Sequence, residues 1–137
     1  MGVLNAKSLM IGDWVKLGKR ILRCKNILGH TNDVVFENGV ITNIMNIEPI
    51  PLTPEILEKN GFVKQNFDGW EYIHPDDSTF SYIDYRILWR TDYDNHLFIK
   101  KYKESGTSAT LQISDINYVH QLQQALKLCG INKEIIL

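Results

Sequence analysis

Apolar and polar residues alternate with a period of two through most of the first fifty positions, the signature of half-buried strands. In GDWVKL, Trp14 and Lys16 oppose Val15 and Leu17, and Gly18-Lys19 turns the chain into RILRCKNIL. There Ile21, Arg23, Lys25 and Ile27 oppose Leu22, Cys24 and Asn26. DVVFENGVITNI carries the clearest local signal. Asn38-Gly39 between two β-branched, alternating runs predicts a two-residue hairpin turn with both positions at positive φ. Four or five short strands in about 45 residues predict a small SH3-like or barrel-like sheet.

The pattern then changes. Three prolines (Pro49, Pro51, Pro54) exclude a central strand and predict an extended crossover. Thr53 is placed as an N-cap, Pro54 at the first helical position, and Glu55 where it complements the helix dipole. Gly61 suits the left-handed C′ position with Phe62 packing back, so residues 54–60 form a helix with Ile56 and Leu57 inward. Alternation resumes in FVKQNFDGWEYI, turning at Asp68-Gly69, and in FSYIDYRILWR and NHLFIKKY, separated by TDYDN. Gly106 and its neighbours read as a loop before ATLQI. Ser114 or Asp115 is expected to cap a closing helix, whose Val119, Leu122, Leu126 and Cys129 form one apolar stripe over the second sheet.

The expected fold class is therefore α+β, mostly antiparallel. A β-rich N-terminal lobe over residues 1–50 precedes an α+β lobe over 51–137, built from the short Pro-led helix, a second meander sheet and the C-terminal helix. The two lobes are expected to make one unit. The hydrophobic fraction of 44% and charged fraction of 23% suit a soluble globular chain. No apolar run approaches the roughly 18 residues that span a bilayer, so no membrane association is expected. MGVLNAKS lacks the apolar stretch of a signal peptide, and Ala6 breaks the myristoylation pattern. Cys24 and Cys129 form no C-x-x-C and read as reduced thiols in a cytoplasmic protein.

Charge is unevenly spread. Residues 1–29 carry six basic groups against one acid, and residues 30–99 carry four against twelve. Lys16, Lys19, Arg20, Arg23 and Lys25 fall on adjacent strands near Trp14, a candidate nucleic-acid contact in which cations meet phosphates and the aromatic stacks on a base. On the closing helix, the histidine and glutamines are expected to bond loop backbone or line a groove, with His120, Gln121 and Gln124 as candidate partner contacts; His120 lacks the orienting carboxylate and nucleophile of a catalytic base. The aromatic series Trp70, Tyr72, Phe80, Tyr82, Tyr85, Trp89 and Tyr93 reads as one packed sheet face. His30, His74, His96 and His120 form no ligand spacing, His74-Pro75-Asp76-Asp77 reads as a solvated turn, and Asp92-Tyr93-Asp94-Asn95 lacks the glycine and glutamate of a calcium loop. No P-loop or dinucleotide fingerprint is present. No catalytic, metal or cofactor-binding residue is assigned.

LMIGDWVKL, IEPIPLTPEILEKNGF and YVHQLQQAL occur here in that order. Together they resemble a family of small uncharacterised proteins of gut Bacteroidetes and their phages and mobile elements. The resemblance implies a cytoplasmic protein in a mobile-element setting and supplies no catalytic residues. This chain departs from it at QALKLCG, where an aromatic-rich NLYFAL-like continuation is expected. The functional expectation is a non-enzymatic binding or adaptor protein that acts through an unknown protein partner or self-association. The alternative is a weak nucleic-acid binder using the basic N-terminal strands.

Overall fold

The computed structural model describes residues 9–75, 83–103 and 106–137. Their fold is α+β, with antiparallel strands in a four-stranded and a five-stranded sheet. Two compact units result: Met1–Pro51 with Tyr118–Leu128, and Leu52–Asn117 with Cys129–Leu137.

In the first unit, β1 (Trp14–Leu17), β2 (Arg20–Leu28), β3 (Asp33–Phe36) and β4 (Ile41–Asn43) form a meander in chain order. A 3-10 turn at Ile44–Asn46 brings the chain back beside β1, where Lys16 and Glu48 exchange two backbone hydrogen bonds of 2.9 and 2.8 Å. This return gives the sheet its expected barrel-like form. Val15, Cys24, Val34, Phe36, Ile44 and Ile47 fill the concave side. Burying a side chain the size of Phe36 contributes about 1.5–3 kcal/mol.

Two local features differ from simple alternation. The β2–β3 register slips between Cys24 and Asn26, so a bulge at Lys25 reverses the phase of the strand. Ile27 consequently opposes Val34 and packs on the core, whereas alternation alone placed it with Arg23 and Lys25. In the β3–β4 hairpin only Gly39 has positive φ, at 89°. Its N–H donates to the Phe36 carbonyl (2.9 Å), and Phe36 N–H donates to the Val40 carbonyl (2.9 Å). The loop is thus a three-residue hairpin with a left-handed glycine, and only Gly39 needs the positive φ expected of both Asn38 and Gly39.

The helix α2 (Val119–Leu128) belongs to this first unit and lies against β1, although the sequence pattern set it over the second sheet. Val119, Leu122, Ala125 and Leu126 are buried. Cys129 lies past the helix end and is partly exposed, so the stripe stops at Leu126. Ser114 and Asp115 do not cap α2. Its first turn begins after Tyr118, whose N–H donates to Gln121 Oε1 at 3.1 Å, the reaching-back half of a capping box.

In the second unit, α1 (Pro54–Lys59) starts as the sequence requires, with Thr53 Oγ1 accepting from Ile56 N–H at 3.3 Å. It ends in a Schellman motif: Phe62 N–H donates to the Leu57 carbonyl and Gly61 N–H to that of Glu58, with Gly61 at φ 87°. Leu57 and Phe62 are buried, and Ile56 is half-buried. The strands β5 (Val63–Lys64), β6 (Gly69–Pro75), β7 (Ile83–Arg90), β8 (His96–Lys103) and β9 (Gly106–Ile113) pair in chain order. Gly69 opens β6, so the turn falls before it, and Gly106 opens β9, so it is strand and not loop.

Register sets Trp70, Tyr72, Tyr85 and Trp89 on one sheet face, with Ile87, Leu97 and Ile99. Phe80 and Tyr82 lie outside the described residues, as do Asp76 and Asp77. The rings of Trp70 and Trp89 pack at 5.8 Å, and Trp89 Nε1 donates to the Ile116 carbonyl at 2.9 Å. Asn60, 4% exposed, ties the C-terminal segment to α1. Its Nδ2 donates to the Ile56 and Ile136 carbonyls (both 2.8 Å), and its Oδ1 accepts from Ile136 N–H (2.7 Å). Asn60→Ala is expected to destabilise the protein by about 1–3 kcal/mol in urea titrations and to speed exchange of the Ile136 amide. An unchanged Ile136 amide would contradict this role.

Candidate functional site

The motif MIGDW leads into β1 through four residues whose backbone groups are met partly by backbone and partly by side chains. Asp13 Oδ2 accepts from Met10 N–H at 2.8 Å, closing a tight turn completed by Asp13 N–H to the Met10 carbonyl at 3.1 Å. Gly12 N–H donates to the Cys24 carbonyl (2.8 Å), and Cys24 N–H to the Asp13 carbonyl (3.0 Å). Gly12 sits at φ 91°, and a Cβ there would press on Lys127 Nζ at 3.1 Å, so only glycine fits without strain.

The polar side of α2 completes this loop. Gln123 reaches two backbone groups at once: its Oε1 accepts from Trp14 N–H at 2.9 Å and its Nε2 donates to the Gly12 carbonyl at 3.0 Å. One turn on, Lys127 Nζ donates to the Ile11 carbonyl at 2.8 Å. Gln124 Nε2 donates to Asp13 Oδ2 at 2.7 Å. Helical spacing of three and four residues presents these side chains together. The loop is therefore clamped, with Met10 and Ile11 displayed at its tip, 45% and 60% exposed. Beside the tip is an open groove of about 460 Å³ lined by Leu9, Met10, Ile11, Asn26, Ile27 and Gly29.

Behind the loop lie three buried ionisable groups. Asp13 is 0% exposed, Cys24 1% and His120 4%. Asp13 Oδ1 and His120 Nδ1 are buried without a hydrogen-bond partner. Burial raises the Asp13 pKa above 3.8, against the lowering pull of Gln124, Met10, His120 and Lys127. Burial lowers that of His120 below 6.5, with Asp13 opposing it. The Cys24 thiol is pushed up to about 12 by burial and by the Asp13 charge, which removes the thiolate a nucleophile needs. At these exposures the three groups are enclosed by the fold in this conformation.

Of the candidate partner contacts, His120 is buried, Gln121 is half-buried and bonds the N–H at its own helix start, and Gln124 is half-buried and bonds Asp13. The expectation that glutamines of this helix bond loop backbone is met by Gln123, whereas sequence reasoning did not single out Lys127 or Asp13. The available signal was a run of polar residues, Gln123, Gln124 and Lys127, on a helix with one buried stripe.

The basic residues are only partly brought together. Register places Lys16 and Arg23 on the outer face with Trp14, and Arg23 lies over the indole at 5.3 Å while its Nε donates to the Gly12 carbonyl at 3.1 Å. Lys25 is at the bulge, Lys19 in the turn, and Arg20 opposes Leu17 on the other face. Acids are interspersed, with Glu48 bridged to Lys16 and Glu37 N–H bonded to the Arg23 carbonyl. Elsewhere, Arg90 holds Asp92 through two bonds of 3.0 and 2.7 Å, keeping that carboxyl below its usual range. No group of three or more metal-ligating side chains gathers among the described residues, and no described helix is long and apolar enough to cross a membrane. Comparison with protein-family models, curated proteins and solved structures finds no match.

Linkage gives the two buried groups opposite signs. With its native pKa raised, Asp13 supports folding fully below pH 3.8, and this support is lost as pH rises through the native value. With its native pKa lowered, His120 supports folding above pH 6.5, and this support is lost as pH falls toward the native value. Asp13→Asn keeps an oxygen for Met10 and Gln124 and removes the charge. Its stability relative to wild type is expected to grow as pH climbs from 3.8, read from urea midpoints across pH. Parallel profiles would contradict a buried, reluctant carboxylate.

Proposed function

We propose that this protein is a non-enzymatic binding or adaptor module that acts through protein contacts, in the mobile-element setting its three motifs suggest. The supporting observation is the tip itself. Two large apolar side chains, Met10 and Ile11, stand 45% and 60% exposed on a loop held by Gln123, Gln124 and Lys127. A tip already fixed before binding loses little conformational entropy when it docks, which favours use as an anchor. The adjoining groove would accept an apolar side chain of the partner.

A photo-crosslinking residue at position 11 tests this reading, with position 41 as control because Ile41 is also apolar and 62% exposed. A discrete adduct from position 11, absent from 41 and lost with Met10→Asp, is expected. Equal labelling at both positions would overturn the proposal.

The nucleic-acid reading draws on Trp14 flanked by Lys16 and Arg23 on one outer face. It requires binding of short single- or double-stranded DNA or RNA whose log affinity falls with log salt and is lost in Lys16→Glu/Lys25→Glu. Absence of an anisotropy change at about 50 mM salt would remove this reading.

A further inference from the structure

A strand at the rim of a sheet exposes backbone donors and acceptors, and proteins shield such rims by shortness, charge, proline or cover. Three of the four rims in the described residues are shielded. Glu48 bridges β1, β4 has three residues, and β5 has two, one of them Lys64. The fourth, β9, runs eight residues from Gly106 to Ile113, GTSATLQI, with no charged residue and no proline. Among the described residues its one protective device is a bulge. Lys101 pairs with Ala109 and Tyr102 with Thr107, so Ser108 is the extra residue and Ala109–Ile113 stays in regular register. Leu111 opposes the buried Ile99 on the core face of the sheet, yet is itself 39% exposed: it is the uncovered end of an apolar row.

We infer that Ala109–Ile113 is the self-association surface of this protein, pairing antiparallel with the same segment of a second copy about a two-fold axis at Leu111. The segment is self-complementary in that register. Leu111 meets its own equivalent and Thr110 meets Gln112: apolar against apolar, polar against polar. Position 115, at φ 59°, turns the chain away just past the pairing segment. Charge permits the arrangement. The nearest lysines, Lys100 and Lys101 on β8, would be three strand spacings, roughly 14 Å, from those of the second copy, beyond the screening length of about 8 Å at physiological salt. The isologous pair consumes the open rim of both copies and so closes at a dimer.

Sedimentation velocity on the full chain, at about 10–200 µM to reach the weak affinities of small interfaces, is expected to show a species of twice the 15.9 kDa chain mass. Leu111→Lys and Leu111→Glu, each folded by circular dichroism, are expected to be monomers alone and to form a dimer when mixed, because the axis sets position 111 against itself. Leu111→Cys is expected to oxidise to a disulfide-linked dimer, and Gln112→Cys, which meets Thr110, is not. A wild-type monomer over the whole range, dimers of either charged variant alone, or equal crosslinking at 111 and 112 would each overturn the inference. Ile11→Asp leaves this dimer intact, so failure here is distinct from failure of the tip reading.

Discussion

Residues 10–14 turn into β1 with only part of their backbone met by β2, through Cys24 and Arg23. A short segment of this kind is stable only if its N–H and C=O groups are met elsewhere, since an unmet buried group costs about 1–3 kcal/mol. Here Gln123 answers for Gly12 and Trp14, Lys127 for Ile11, and the Asp13 carboxylate for Met10. A single helix face thus fixes the entry to the first strand. The same requirement explains why α2 lies against β1, where its glutamines find backbone partners that an ordinary strand would already have used.

Asp13 shows what this arrangement costs. A fully buried carboxyl with one oxygen doubly bonded and the other without a partner is an expensive element. Retaining it is understandable because Oδ2 serves two donors at one point, joining the loop's own turn to α2. An asparagine could accept the same two bonds, so the carboxylate is not required for the geometry alone.

Much of the fold was legible because local signals and tertiary structure agree. Thr53, Pro54, Gly61 and Phe62 each perform the helix-boundary role their chemistry predicts, and Trp70, Tyr72, Tyr85 and Trp89 fall on one face as period two requires. The misreadings share a cause: a long-range partner overrode a local preference. The bulge at Lys25 turned Ile27 inward to meet Val34. The start of α2 was delayed past Ser114 and Asp115 because Ile116 is bound to the Trp89 indole and Val119 N–H to the Ile50 carbonyl. That the glutamines of α2 would bond loop backbone was legible from their place beside the apolar stripe, and Gln121 follows the local spacing of a capping box. Which loop Gln123 and Gln124 reach was not, because it lies 109–111 positions away and no spacing rule reaches that far.

The central claim is that the polar face of α2 holds the loop before β1. The most direct test is native-state amide exchange at Trp14, whose N–H is bonded to the Gln123 side chain at 2.9 Å. The account predicts strong protection in wild type. It predicts a loss of at least about tenfold in Gln123→Ala beyond the change at the core amide of Val34, since tenfold corresponds to about 1.4 kcal/mol. Equal changes at Trp14 and Val34, or none at Trp14, would show that the loop holds its shape without the helix and would contradict the account.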